Sequence, residues 1–553
     1  MTPPERGGQP GGPRGGRPGG PSGGRSNGQP GGRSGPQRGG PQRSGRPGQR
    51  GGQGSGQPGQ PRPWTTTAPS ARPRSGDPAR RVAFDVLRAV EEQDAYANLV
   101  LPRLLRAARL DGRDAAFATE LAYGALRGRG TYDAVLAACV DRPLAQLDPP
   151  VLDALRLGAH QLLATRVAPH AAVSETVALV RGAIGAGPSG LVNAVLRRVS
   201  EHDLPTWLDR VAPPVEGPGA DPTAALAVRE SHPAWVVRAL REALVLAGRP
   251  ASELPDLLAA DNARPLVALA ALPGLADPSE LVAAGAQPGR WSPLAAVLPD
   301  GDPGDLPAVR EARARVQDEG SQLAALALLA APLAGPSGRP GRDERWADLC
   351  AGPGGKAALL AASAAQRGAH LLAVEVAPHR AQLVEQALAG VVASSSSSEG
   401  RSVVEVVAGD GRTVGAERPG EFDRVLVDAP CTGLGALRRR PEARWRRTPA
   451  DVSALAPLQR ELLSSALEAV RPGGVVAYVT CSPHPAETQA VLDDVVRRWA
   501  KDGEQLEVLD APAVLRELAG VDAGTGAGSN RAQLWPHLHG TDAMSVSLLR
   551  RPR

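Results

Sequence analysis

Apolar positions follow two different rhythms along this 553-residue chain. Between residues 78 and 203 they recur every three to four positions, as in Val82, Ala83, Val86, Leu87 and Val90. That is the period of a helix with one buried face. Similar stripes run through 121–126, 151–163 and 173–180, with Pro143, Pro149, Pro150 and Pro169 as punctuation. The pattern predicts an all-helical domain over residues 78–210. From Trp346 onward, short apolar runs at 346–350, 371–376, 403–407, 424–428, 475–480, 506–509 and 545–549 alternate with helical patterns at 356–366, 380–388, 457–469 and 486–499. Strand–helix alternation of this kind predicts a doubly wound parallel sheet, an α/β domain over residues 341–553.

The stretch between them is mixed. Residues 212–222, rich in Pro and Gly, read as a linker; 233–246, 281–286 and 317–331 read as helices and 266–272 as a strand, which together predict a small α+β subdomain over 223–340. Ser394–Ser398 reads as a surface insertion between two strand–helix units.

Composition changes the picture mainly at the N-terminus. Residues 1–75 hold twelve Arg, one acid (Glu5) and 23 Gly, with no Val, Ile, Leu, Phe or Tyr. Such a segment cannot offset the entropy of ordering, so a disordered tail is expected over residues 1–77, its Arg-Gly repeats suited to loose phosphate contacts. The tail carries +11 of a total of +5, leaving −6 for the rest of the chain. The longest apolar run, 323–331, is too short to span a bilayer, and no secretory signal is evident. Four cysteines (Cys139, Cys350, Cys431, Cys481) form neither a disulfide framework nor a zinc pattern. A soluble cytoplasmic protein with free thiols, no metal and no obligate protein partner is expected.

The chemistry concentrates in the α/β region. Asp348 and Leu349 lead into Cys350, Ala351, Gly352, Pro353, Gly354, Gly355 and Lys356, which follow the first strand and open a helix. Three glycines in four residues let a ligand approach the backbone closely. Glu375 ends the next strand, where an acid can accept both hydroxyls of a ribose, and Asp410 follows the third strand, where it can meet an adenine amino group. The loop has neither dinucleotide nor triphosphate spacing, so S-adenosylmethionine, which carries no phosphate, is the expected cofactor. The chain has only two lysines among 63 basic residues, and one of them is Lys356, in the ligand loop; this suggests a need for a compact ammonium.

Two thiols stand at neighbouring strand ends, in Asp428-Ala-Pro-Cys431-Thr-Gly and Thr480-Cys481-Ser-Pro483. In an open parallel sheet, both should face the ligand crevice. Carbon 5 of cytosine becomes nucleophilic only after a thiolate adds to carbon 6 and a proton or hydrogen bond reaches ring nitrogen 3. Two Cys and an Asp meet that requirement, and these residues alone leave open which Cys attacks. A base must be unstacked to enter such a crevice, which favours single-stranded or looped RNA. The segment 437–447 carries six arginines and a tryptophan; Arg438, Arg439, Arg440, Arg444 and Trp445 are the expected RNA contacts.

These motifs, with Arg438-Arg-Arg-Pro-Glu, resemble the signature set of the Sun/Fmu family of RNA cytosine-5 methyltransferases. Gly190-Leu-Val-Asn-Ala-Val-Leu-Arg197 and the helices before it resemble the NusB-like RNA-binding domain of the family's bacterial 16S rRNA branch, and Val316-Gln-Asp-Glu-Gly-Ser-Gln322 resembles its lead-in to the catalytic domain. The resemblance covers about residues 78–553 and implies a Rossmann-like methyltransferase domain acting on small-subunit rRNA. It implies that Cys481 attacks carbon 6 and Cys431 assists release. It also implies that residues 350–356, Glu375, Asp410 and Asp428 hold the cofactor, with Asp428 near the cytosine. Glu375 stands where Asp is more usual, and Thr541–Met544 replaces a more aromatic segment. The same chemistry on tRNA or DNA, and a non-catalytic NusB-like RNA-binding or assembly factor, are the alternative readings; for DNA, the attacking thiol would be Cys431.

Overall fold

The computed structural model describes residues 76–335, 342–395, 403–526 and 528–553. The expectation for the tail falls outside the described residues, apart from its last two positions. Of the serine run, Ser394 and Ser395 finish the helix Pro378–Ser395 and the remainder lies outside.

The N-terminal stripes fold as eight helices, from Pro78–Glu92 to Leu204–Val211. The first starts where Asp77 accepts the N–H of Ala79 at 2.9 Å and Pro78 sets the backbone angle of the first turn. Its stripe of Val82, Ala83, Val86, Leu87 and Val90 is fully buried, and packs with the helix Pro149–Ala164 into one core.

Residues 212–221 do lack regular structure, and a helix, Pro222–Arg229, begins directly after them under an Asp221 cap. Helices Ala234–Leu246 and Leu254–Asn262 follow, then a four-stranded antiparallel sheet of β1 (Val267–Ala271), β2 (Gln287–Pro288), β3 (Ala295–Leu298) and β4 (Ala314–Val316), in the order β2-β3-β1-β4. Only β1 was legible in the sequence. The other three have two to four residues, too short to show a period of two. The helix Glu319–Ala330 forms as expected, but it lies in the core of the larger sheet. Leu323, Ala324 and Leu328 pack there with Trp346, Leu359 and Val475. The apolar packing of the larger sheet therefore also takes in this helix, from before the α/β domain expected over 341–553.

The larger sheet contains β5 (Arg345–Asp348), β6 (His370–Glu375), β7 (Val404–Ala408), β8 (Phe422–Asp428), β9 (Val470–Thr480), β10 (Glu507–Leu509), β11 (Ala532–Gln533) and β12 (Ser545–Arg550). Its order is β10-β12-β9-β8-β5-β6-β7, with β11 also on β12. The strands β5 to β9 are mutually parallel, whereas β12 runs antiparallel to β9 and pairs antiparallel with β10 and β11 at that edge. Helices Gly355–Arg367 and Glu319–Ala330 cover one face; Pro449–Ala469 and Gln489–Lys501 cover the other. Double burial accounts for the nearly unbroken apolar runs of the central strands. The chain leaves β5 to one side through β6 and β7, then to the other through β8 and β9. The crevice at this reversal opens beside the carboxyl ends of β5 and β8, at Asp348 and Asp428. No helix among the described residues is long and apolar enough to cross a membrane.

Candidate active site

The glycine loop is shaped by two carboxylates. Asp348 Oδ1 accepts the N–H of Cys350 at 3.2 Å, and Glu375 accepts the N–H groups of Gly352 and Ala377, each at 3.1 Å. Arg380 donates to the Gly352 carbonyl at 2.8 Å and closes the loop from outside. A Cβ on Gly352 would stand 2.2 Å from Glu375 Oε2, so a side chain there would push the carboxylate out of its place under the loop. Lys356, in the first turn of the helix, reaches across the crevice and meets Asp428 at 2.8 Å. Burial works against its charge, yet Asp428, and beyond it Cys481 and Asp348, hold the ammonium above its ordinary value.

Asp348 is only 1% exposed, and its Oδ2 has no partner. Burial, with Asp428 and Glu375 close by, pushes its carboxyl up to about 7. Burial likewise raises the Cys350 thiol. Asp410 lies one strand further along, half-buried and paired with Arg412, whose hydrogen bonds keep its carboxyl low. A pocket edged by four acids and one buried ammonium repels phosphates and suits a ligand that brings hydroxyl and ammonium donors. An adenosine carrying an amino-acid tail fits that donor set. Among the described residues no cluster of His, Cys, Asp and Glu could hold a metal.

Cys431 and Cys481 converge from β8 and β9, their sulfurs 3.3 Å apart. The hydrogen bond given by Cys431 outweighs burial and, with Lys356 and Arg440, lowers the Cys481 thiol below its usual value; Asp428 opposes this. The same bond, then burial, raises Cys431. The pair is therefore biased toward a thiolate on Cys481 and a donor on Cys431. Around them, the Cys481 carbonyl accepts the N–H of Gly435 at 2.9 Å.

The arginine segment departs from expectation. Arg444 is 0% exposed and donates to the carbonyl of Ser231 (3.1 Å), Oδ1 of Asn262 (2.7 Å) and the carbonyl of Asp261 (3.2 Å). Burial lowers it to about 10. Trp445 lies against Gly130, where a Cβ would stand 2.5 Å from the ring, and Arg129 lies 5.8 Å from the ring centre. Arg444 is thus enclosed by protein, whereas Trp445 is only partly buried; both pack between elements far apart in sequence. Arg438 pairs with Asp318 and Arg439 with the buried Asp542. Arg440 has no ion-pair partner among the described residues; its guanidinium lies 5.0 Å from the centre of the Tyr96 ring. Asp348, Asp318, Asp542 and Glu487 are site-forming acids that sequence reasoning did not single out. Only Asp348, which opens the glycine motif, carried a visible signal.

Two family models match the chain: 16S rRNA methyltransferase RsmB/F over residues 338–550, and the NusB family over residues 77–201. The small-subunit rRNA methyltransferase B of Sodalis glossinidius is 31% identical over 75% of this chain and 88% of its own length. The chain belongs to the RsmB/F methyltransferase family. Another similar protein, the putative methyltransferase Rv1407 of Mycobacterium tuberculosis, is 50% identical over 87% of this chain and 98% of that one. The crystal structure of PH0851 superposes with a TM-score of 0.67 at 20% identity, covering 86% of this chain and 99% of that one, and shows the same fold. The RsmB/F match spans the larger sheet that carries the crevice, and the NusB match coincides with the helical domain.

Proposed function

We propose that this RsmB/F methyltransferase moves a methyl group from S-adenosylmethionine to carbon 5 of a cytosine in small-subunit rRNA, through a transient bond between Cys481 and carbon 6. The carrying observation is the sulfur pair, 3.3 Å apart beside the acid-lined glycine loop. When bound, the cofactor supplies an electrophilic methyl on a sulfonium. Asp348, Glu375 and residues 350–356 hold its hydroxyl and ammonium donors, with Asp410 toward the adenine.

The Cys481 thiolate adds to carbon 6, and the electron pair of the 5,6 double bond becomes available at carbon 5. Asp428, ion-paired with Lys356, serves nitrogen 3, steadying the proton taken up there. Carbon 5 takes the methyl group; a solvent water then takes the proton from carbon 5, and the electrons of that carbon–hydrogen bond re-form the 5,6 double bond. The carbon–sulfur bond breaks as they do, its pair leaving on sulfur as the Cys481 thiolate, toward which the Cys431 S–H donates, while nitrogen 3 releases its proton. In this reading Arg440 meets the RNA backbone, and the NusB-like domain adds further rRNA contacts.

The test is to map 5-methylcytosine in small-subunit rRNA with and without this protein, then to compare two variants. C481A is expected to abolish methylation and adduct formation. C431A is expected to accumulate a covalent protein–RNA adduct. Methylation that survives C481A rejects the scheme.

A further inference from the structure

We infer that Glu487 is a positioning residue that keeps Cys431 a protonated thiol and so leaves the thiolate to Cys481. The inference rests on the reading of Cys481 as the attacking group. Glu487 ends the short turn Pro485–Glu487, six residues past Cys481, and is fully buried. Its Oε1 accepts the N–H of Thr432 at 2.7 Å and the Gln459 amide at 3.3 Å; its Oε2 accepts the Thr432 hydroxyl. The Gln459 amide also donates to the Pro430 carbonyl at 2.8 Å. Both neighbours of Cys431 are thus tied, directly or through Gln459, to one carboxylate. On the opposite side, the Thr432 hydroxyl lies 3.3 Å from the hydroxyl of Ser482, the neighbour of Cys481. The Tyr478 hydroxyl anchors the turn through the Glu487 carbonyl at 2.7 Å. Glu487 is therefore the hook that holds the two cysteine loops in register.

Its charge acts with its geometry. Every donor to this carboxylate is neutral, and it makes no ion pair among the described residues. A buried carboxylate next to Cys431, with the imidazole of His484 as a nearby titratable group, disfavours an anion there. The groups facing Cys431 are Glu487 and Cys481, with Tyr478 nearby; none is a cation, and Glu487 adds to the rise of its thiol. The groups facing Cys481 are Asp428, Lys356 and Arg440, with Arg439 behind them held by Asp542, so cations stand beside this sulfur and none beside the other. The two sulfurs are chemically alike, and the asymmetry of their surroundings selects the attacker.

The experiment is site-resolved alkylation of the full-length protein, free of RNA, by iodoacetamide between pH 5.5 and 10, with each cysteine quantified by peptide mass spectrometry. In the wild type, Cys481 is expected to react with a midpoint below the ordinary thiol value, and Cys431 to lag at least tenfold at neutral pH. E487Q is expected to reduce that selectivity at least fivefold and to move the Cys481 midpoint upward, while E487D, which keeps the charge, restores most of it. T432V is a near-isosteric second variant in case E487Q does not fold. It removes one bond of the hook and is expected to lower selectivity about threefold. Selectivity unchanged within a factor of two in a folded E487Q, or in T432V if E487Q fails to fold, would overturn the role of Glu487. Cys431 reacting ahead of Cys481 in the wild type would instead overturn the assignment of the attacking thiol, and this inference with it.

Discussion

Lys356 and Asp428 join the two halves of the crevice, the ammonium of one lying 2.8 Å from the carboxylate of the other across the reversal in strand order. Lys356 belongs to the helix that starts after β5, Asp428 to the end of β8. Their pairing places a cation between the acid-lined glycine loop and the thiols, where its charge acts on Asp428, Cys481 and Asp348 together.

Removing that cation should therefore be felt in three places at once. K356M is expected to destabilise the fold by about 2 kcal/mol, less than a fully buried pair would lose because Asp428 is still partly hydrated. It should also raise the Cys481 alkylation midpoint and lower methylation at least a hundredfold. K356R is expected to rescue poorly, because a planar fork does not fit the slot of a compact, nearly buried ammonium. Thermal unfolding, alkylation and methyl-transfer assays on the two variants check these outcomes.

Asp348 gives a pH signature of opposite sign to that of an ion-paired carboxylate. Its folded-state value, pushed up to about 7, lies above the unfolded value near 4. Between those values the folded chain binds more protons than the unfolded one, so this group makes stability fall as pH rises from about 4 to 7. D348N removes the titration. The variant is expected to unfold at a higher temperature than wild type at pH 8, with the difference shrinking towards pH 5, while its cofactor affinity falls. Calorimetry at the two pH values decides it; a gap that widens on acidification would contradict the sign.

The central strands were readable because Val425, Leu426 and Val427, like Val475 to Val479, are covered on both faces and show as apolar runs ended by Gly or Pro. The two thiols, Lys356 and Asp428 were readable because strand ends next to a glycine turn are a small set of places. The short strands β2, β3 and β4 were not readable, since their pairing is set by partners rather than by their own two to four residues. Glu487 was hidden for another reason. A single acid six positions past a cysteine has no local pattern, and its partners Thr432 and Gln459 lie 55 and 28 residues earlier. The arginine segment misled because charge in a loop is usually solvated. Leu434, Leu437 and Ala443, all buried against the helix Ala234–Leu246, were the apolar signal that this loop is an insert between folded parts.

That reassignment makes the fate of Arg444 the clearest contrast with the sequence-based reading. An RNA-contacting arginine would be dispensable for folding, and its loss would weaken binding and flatten the salt dependence of affinity by about one unit of slope. Arg444 instead satisfies acceptors on Ser231, Asp261 and Asn262, which lie 182 to 213 residues away in sequence. Replacing it with Met keeps much of the volume but strands buried oxygens, each costing roughly 1–3 kcal/mol. Burying the guanidinium itself carries a desolvation cost that Met does not, which offsets part of the loss. R444M is expected to lose about 3 kcal/mol of stability. RNA affinity per folded molecule and its salt slope should stay at wild-type values. For R440M, whose guanidinium lies against Tyr96 without an ion partner, the expectation reverses: near-normal stability, weaker RNA binding and a shallower salt slope. Denaturant titration alongside RNA binding at 50 and 200 mM salt separates the two arginines. Matching behaviour of the two variants would mean that the segment does not divide into a buried clamp and an RNA-facing edge.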